Sequence, residues 1–302
     1  MNPRRVVDRV LYFRGHPAFA GLALEHLLSL ARQCTSATLE TGQRTPRASN
    51  PDLDTVLFVT AGGLEIESGD RVRTIRAGES AGLMRVLANR APLSGRAIGP
   101  TEAIGLTRED LEEILENRFE IALAMLGWVC RESLDRMATL APGHVLHGSE
   151  QETATPPPVG SAFARRLAGL ARSSWFPGEH LDALAELAVH VQDVEMEPGH
   201  RLWTPGDAAD HFFVITSGMV KCSAGLSWHC HGGEGVTVGE FEALSGASRR
   251  FEAEAEVPVS ALRVDTGPFL DILEDHSQMA VDVLATLADR CLYLSGEGGT
   301  PP

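Results

Sequence analysis

Lysine, tyrosine and long apolar runs are all scarce in this chain. Of its 302 residues one is lysine, Lys221, and two are tyrosine. No apolar run approaches the roughly 18 residues that a membrane-spanning helix needs, and the N-terminal sequence MNPRRVVDRV lacks the apolar core of a signal peptide. The five cysteines are odd in number and include no Cys-x-x-Cys pair, which indicates thiols in a reducing compartment rather than a disulfide framework. These absences predict a cytoplasmic protein without a membrane segment.

Basic residues are too few and too dispersed for a nucleic-acid-binding protein. The chain has 26 basic and 41 acidic residues, a net charge of −15. Residues 1–149 hold 17 basic and 18 acidic side chains, which leaves 9 basic and 23 acidic ones for residues 150–302. An acidic half repels phosphate backbones, and no segment remains that could form a separate helix-turn-helix. We therefore expect no nucleic-acid partner.

The two halves of the chain repeat each other at an offset of about 157 residues. The segment FAGLALEHLLSLA begins at Phe19, and FPGEHLDALAELA begins at Phe176. Further along, the apolar segments DTVLFVTAGG and DHFFVITSGM correspond, as do the closing segments TREDLEEIL and TGPFLDIL. Matched helix, strand and closing-helix patterns in one order predict two copies of one domain.

The pattern within each copy predicts mainly β structure with flanking α-helices. An amphipathic helix comes first, short β-rich pieces separated by glycine turns follow, and a second helix closes the copy. Their lengths suit an antiparallel, jelly-roll-like β-roll better than alternating βα units. The predicted boundaries are domain 1 at 1–141, a proline-rich linker at 142–160, domain 2 at 161–294 and a flexible tail at 295–302.

The second copy contains the motif that carries most of the functional information. EPGHRLWTPGDAADHFFVITSGMVK (residues 197–221) and VGEFEALSGASRR (residues 238–250) resemble cyclic-nucleotide-binding domains, as found in the cyclic-AMP receptor and protein kinase A regulatory subunit superfamily. The resemblance implies two tandem β-rolls and a phosphate-binding cassette that begins at Gly239. By the same resemblance Glu240 binds the ribose, Arg249 binds the phosphate, and Arg250 takes its place if the loop carries one extra residue.

That residue set suits a cyclic mononucleotide, cAMP or cGMP. A glycine at a helix start lets an anion approach free backbone N–H groups, and an arginine adds a charge-assisted hydrogen bond. Glu242, however, stands where the family has a small residue, and it would bring a like charge toward the phosphate. In the first copy Gly82 aligns with Gly239, but Leu83 replaces the carboxylate, so we expect that copy to be degenerate and to serve structure or dimerisation.

Three functions remain open at this point. The leading one is a non-enzymatic regulator whose second roll binds a cyclic nucleotide and whose closing helix then alters an interface with another protein. The second is a ligand-free pseudo-sensor that acts as a docking or assembly module. The third is a cupin-like metalloenzyme using His229, His231 and Glu234, although the later strand supplies no third histidine and a polar hairpin turn is the favoured account of the cluster. A homodimer is expected from the closing helices, and neither a cofactor nor a catalytic residue is predicted.

Overall fold

The computed structural model describes residues 3–45, 54–68, 71–91, 93–140, 144–146, 160–176, 180–225 and 228–298. The chain divides into two compact units, Met1–Trp128 and Val129–Pro302. Most of the linker predicted at 142–160 lies outside the described residues, as do the last four residues of the predicted tail. The two units are described separately below.

The first unit combines two antiparallel sheets with helices at both ends. One sheet has the strand order β1-β7-β2-β5 and the other β4-β3-β6. The helices are α1 (Pro3–Gly15), α2 (Leu24–Gln33), α3 (Leu83–Leu87), α4 (Arg108–Asn117) and α5 (Phe119–Ala138), the last of which crosses the boundary between the units. The strands are β1 (Thr35–Leu39), β2 (Thr55–Ala61), β3 (Gly63–Ser68), β4 (Arg71–Arg76), β5 (Ser80–Ala81), β6 (Gly95–Ala97) and β7 (Thr101–Thr107).

The second unit has the same plan with two additional strands. A five-stranded sheet has the order β10-β15-β12-β13-β8, and a four-stranded sheet has the order β14-β11-β16-β9. Its strands are β8 (His144–Leu146), β9 (Gln192–Met196), β10 (Arg201–Trp203), β11 (His211–Ser217), β12 (Val220–Ser223), β13 (Trp228–Gly232), β14 (Thr237–Val238), β15 (Glu252–Ala255) and β16 (Val259–Asp265). Its helices are α6 (Ala162–Arg172), α7 (Leu181–His190), α8 (Glu240–Ser245), α9 (Thr266–Asp275) and α10 (Ser277–Leu294).

The sequence repeat corresponds to a repeat of structural elements. Helices α2 and α7 begin 157 residues apart, at Leu24 and Leu181, and α3 and α8 begin 157 residues apart, at Leu83 and Glu240. The predicted fold class, antiparallel β-rolls with flanking helices, is therefore confirmed. In β15, Ala253 and Ala255 are buried while Glu252 and Glu254 are only partly covered, so that the strand has one buried face and one face toward solvent.

Aromatic side chains fill the space between helices and sheet in the second unit. Trp175 is fully buried, its ring centroid lying 5.1 Å from that of Phe212 and 5.7 Å from that of Phe269. Such ring pairs add stability beyond the apolar area that they bury. These contacts hold β11 against α9. Strand β11 also pairs with β14, which directly precedes the cassette that begins at Gly239. Across the described part of the chain, no helix is both long and apolar enough to traverse a bilayer.

Candidate functional site

The cassette in the second unit starts at a glycine that no other residue could replace easily. Gly239 has φ +87° and precedes the first residue of α8. A Cβ at this position would lie 2.6 Å from the Trp203 ring and closer still to the Nη1 atom of Arg249. Glycine is therefore required both for the left-handed backbone and for the close approach of two side chains. The approach of an anion at Gly239 stays a prediction.

Arg249 is buried beneath this turn. Its side chain is 1% exposed, and its guanidinium carbon lies 3.8 Å from the centroid of the Trp203 ring. Nη1 donates a hydrogen bond of 2.7 Å to the carbonyl of Gly239, and Nη2 donates one to the carbonyl of His211. Nε has no hydrogen-bond partner among the described residues. Burial lowers the pKa of the guanidinium.

The direct partners of Arg249 are neutral, although the charges of Glu242, Glu240 and Asp210 act on it from a distance. Carbonyl oxygens and an aromatic face are neutral, and among the described residues no carboxylate makes an ion pair with this guanidinium. A buried cation without a direct ion pair is costly, and an anion brought into contact with it gains a strong, charge-assisted interaction. The surroundings of Arg249 thus have the chemistry of an anion site.

The side chain of Glu240 points toward α10, the last helix of the second unit, which is called the closing helix below. Its carboxylate lies 3.3 Å from Nη1 of Arg290 on α10, and both side chains are almost fully buried. Arg290 also donates to the hydroxyls of Thr237 and Ser174, each at 3.0 Å. Burial raises the pKa of Glu240, and the Arg290 charge opposes that rise. Glu240, the predicted ribose residue, therefore links the cassette to α10 through its ion pair with Arg290.

Glu242 is the unexpected member of the cassette. Its side chain is fully buried, Oε1 accepts a hydrogen bond of 3.2 Å from the backbone N–H of Arg250, and Oε2 has no partner among the described residues. Burial raises the pKa of this carboxyl to about 7, against the lowering effect of the Arg250 N–H and of the Arg249 charge. The Glu242 carboxylate thus accepts the Arg250 N–H, a backbone donor in the loop that is expected to hold a phosphate.

Arg250 lies away from this group. Its guanidinium makes a 2.7 Å ion pair with Asp135 at the surface, where both side chains are well exposed. An exposed pair of this kind contributes little stability. Of the two candidate phosphate residues, only Arg249 has its guanidinium within the cassette.

The cavity beside the cassette is small. Its volume is about 50 Å³, whereas pockets for drug-sized ligands hold roughly 300 Å³ or more. Aromatic rings fill part of the β-roll interior next to the cavity, where Trp203 stacks on Phe213 and packs edge-on against Phe251. The side chains and backbone that border the cavity include Cys222, Cys230, Val238, Gly239, Glu240 and Phe251. A nucleotide would have to enlarge this space.

The first unit keeps the shape of the cassette without its chemistry. Gly82 has φ +89° and precedes α3, as Gly239 precedes α8. Leu83 follows it and is buried at 2% exposure, in the place that Glu240 has in the second unit. An apolar side chain cannot accept a hydrogen bond from a ribose hydroxyl.

The residues of the metal hypothesis do not converge. The rings of His229 and His231 lie 5.8 Å apart, His231 pairs with Glu256 at 3.3 Å, and Glu234 pairs with Arg172 at 3.4 Å. Within the described ranges, no three side chains of His, Cys, Asp or Glu come together in a way that could hold a metal ion. The His-x-His segment is β13, paired with β12 in a hairpin.

Sequence reasoning did not find Arg290 or Trp203. Arg290 has a signal in retrospect, because it interrupts the buried stripe of α10 formed by Leu284, Leu287 and Cys291. A charged residue on an apolar helix face needs a buried partner. Trp203 carries no such signal, since a tryptophan on a short strand is an ordinary core residue.

Comparison with known proteins locates the family resemblance in the second unit. A family model described as cyclic nucleotide-binding domain matches residues 193–276. This range includes Gly239, Glu240 and Arg249 but ends before Arg290. No curated protein matches the chain.

Several solved structures share low sequence identity with the chain. The regulatory subunit of a cAMP-independent protein kinase A from Trypanosoma brucei is 16% identical over 92% of this chain and 91% of that chain, with a TM-score of 0.36. The regulatory domain of Toxoplasma gondii protein kinase A, crystallised with cAMP, is 13% identical over 92% and 98%, with a TM-score of 0.34. A cAMP-binding acyltransferase from Mycobacterium smegmatis is 28% identical over 40% and 39%, with a TM-score of 0.33.

Proposed function

We propose that the chain is a non-enzymatic regulatory protein whose second unit binds cAMP or cGMP, since residues 193–276 match the cyclic nucleotide-binding domain model. The ligand would contact Gly239, Glu240 and Arg249. The observation that carries this proposal is the buried 3.3 Å bond between Glu240 in the cassette and Arg290 in α10. It gives a ligand at the cassette a direct means of acting on the closing helix.

The mechanism follows from competition for buried partners. A ribose hydroxyl that donates to Glu240 weakens the hold of this carboxylate on Arg290, and a phosphate at Arg249 replaces neutral carbonyl partners by an anion. A ligand shifts a conformational equilibrium only by the difference in its affinity for the two states. The state favoured by the nucleotide would be one in which α10 no longer depends on the pair of Glu240 and Arg290.

The output of such a switch would be an interface with another protein. Helix α10 is the last helix in the described part of the unit, and its movement would expose or cover a docking surface. A homodimer through the closing helices and a cytoplasmic location remain predictions. Sedimentation of the protein with and without cyclic nucleotide would test the homodimer directly.

The test is a titration of the full chain with cAMP and with cGMP, followed by thermal unfolding and calorimetry. A ligand at 100 times its dissociation constant adds about 2.7 kcal/mol of apparent stability. Arg249→Ala is expected to abolish the response, and Arg250→Ala is the matched control because its guanidinium is engaged at the surface with Asp135. Absence of any response in folded wild-type protein would refute nucleotide binding.

A second candidate function, a ligand-free docking module, is supported by Glu242. Its buried carboxylate accepts the Arg250 N–H, and the neighbouring cavity of about 50 Å³ is too small for a nucleotide without rearrangement. If this candidate is correct, wild-type protein ignores both nucleotides. Glu242→Ala then distinguishes two reasons for the absence of binding, the Glu242 carboxylate and the small cavity. If this variant binds a nucleotide, the carboxylate occupies the position of the phosphate in wild-type protein.

A further inference from the structure

Two cysteines face each other across the hairpin that borders the cavity. Cys222 on β12 and Cys230 on β13 are direct partners in the antiparallel register. Both border the cavity, and because they are directly opposed their side chains lie on the same face of the hairpin. The other three cysteines, Cys34, Cys130 and Cys291, are buried.

The register also fixes the type of pair. The N–H of Ala224 donates to the carbonyl of Trp228, which indicates that these opposed residues occupy a hydrogen-bonded position of the ladder. Antiparallel ladders alternate with a period of two, which makes Cys222 and Cys230 a hydrogen-bonded pair with Cα atoms about 5.5 Å apart. A disulfide requires Cα atoms about 4.4–6.8 Å apart, and this pair meets that requirement.

The fit is less close at the Cβ atoms. Directly opposed residues have Cβ atoms about 4.5–5.5 Å apart, whereas a disulfide needs about 3.5–4.5 Å. The hairpin must tighten slightly to close the bond. Disulfides that hold their strands away from the preferred geometry are the more easily reduced ones, as in regulatory sites.

We propose that Cys222 and Cys230 form a reversible thiol–disulfide site in the wall of the cavity, with a hydroperoxide as the oxidant. This site does not depend on nucleotide binding. It assigns a chemical role to two cysteines that the family resemblance leaves unexplained.

The partly exposed thiol reacts first. The Cys230 thiolate attacks one oxygen of hydrogen peroxide, the O–O bond breaks, and the departing hydroxide takes a proton to become water, which leaves a sulfenic acid. The Cys222 sulfur then attacks the Cys230 sulfur, so that the S–S bond forms, the S–O bond breaks, and the hydroxide leaves as a second water with the Cys222 proton. Two thiols are oxidised and one peroxide is reduced to two waters.

The environments of the two thiols match these roles. Cys222 is only 3% exposed, and the neighbouring Cys230 thiol together with burial raises its pKa. It is therefore a poor first nucleophile toward a dissolved oxidant and is suited to the second step. Cys230 is half-buried and offers the oxidant access.

The experiment uses the full chain and the placement of its cleavage sites. Lys221 and Arg249 bound one tryptic peptide, residues 222–249, that contains both cysteines, and Trp228 lies between them. Protein is treated with hydrogen peroxide, alkylated under denaturing conditions and digested with trypsin and then chymotrypsin. We expect the tryptic peptide to lack two hydrogens and to escape alkylation, its two halves to stay joined after cleavage at Trp228, and dithiothreitol to restore all five free thiols.

Matched variants decide the assignment. Cys230→Ser, at a half-buried position, should lose the bond, and Cys222→Ala should lose it independently. Cys291→Ala should keep it, because this cysteine is buried on α10. Alkylation of both cysteines after oxidation, a bond between Cys130 and Cys291 instead, or an intermolecular bond through Cys230 would each overturn the proposal.

Discussion

Replacing Glu242 by glutamine is expected to stabilise the protein at neutral pH and to flatten the pH dependence of its stability. Burial raises the pKa of this carboxyl from 4.5 to about 7 in the folded chain. Between these two pH values the folded state binds more protons than the unfolded state. The free energy of unfolding therefore falls as the pH rises through this window.

The size of the effect follows from the same pKa difference. At 1.36 kcal/mol for each pH unit, the window from 4.5 to about 7 corresponds to about 3 kcal/mol. Wild-type protein loses this amount as Glu242 ionises in a buried position beside Glu240, because the Arg249 charge and backbone N–H groups compensate only in part. Glutamine cannot ionise, so the advantage of Glu242→Gln over wild type should grow by about 3 kcal/mol across the window.

The assay is urea unfolding followed by circular dichroism at several pH values from 4.5 to 8. Glu274→Gln serves as the control, because Glu274 is an exposed carboxyl on α9 in the same unit. Its stability curve should run parallel to that of wild type. If the curve of Glu242→Gln also ran parallel, the carboxylate would not be buried and the argument would fail.

Three further changes test the rest of the site. Arg290→Leu should lower the free energy of unfolding by about 3–5 kcal/mol, because it leaves Glu240 buried and unpaired, and adding Glu240→Leu should restore most of the loss in urea unfolding. Gly239→Ala should lower the melting temperature more than Gly246→Ala, which meets the same left-handed backbone cost of about 1–2 kcal/mol but has open space for its Cβ. Arg249→Lys should lose nucleotide-dependent stabilisation although the charge remains, because a lysine cannot reach two carbonyls while stacking on Trp203; an unchanged calorimetric titration would contradict this.

The repeat and the fold were accessible from the sequence because they depend on local patterns. Apolar periodicity placed α7 and β11, and glycine turns separated the strands. The offset of 157 residues between Leu24 and Leu181 needed no knowledge of long-range contacts. These signals arise from neighbours along the chain, where spacing and structure are directly related.

The interior of the site was not accessible in the same way. The partner of Glu240 is Arg290, fifty residues later on a different helix, and no local pattern relates the two. Glu242 was noticed as a departure from the family, but its burial and its bond to the Arg250 N–H depend on how the loop closes. Glu240 and Arg249 lie nine residues apart in the sequence, yet both side chains are buried and each has its own partners elsewhere.

The stacking of Arg249 on Trp203 allows tryptophan fluorescence to report on the cassette without a label. The chain contains four tryptophans, and at Trp203 a guanidinium lies against the indole face. Indole fluorescence responds to a charge held against the ring. Any molecule that draws Arg249 away from Trp203 should therefore change the emission of unlabelled protein, and the time course of that change would report the rate at which the cassette opens.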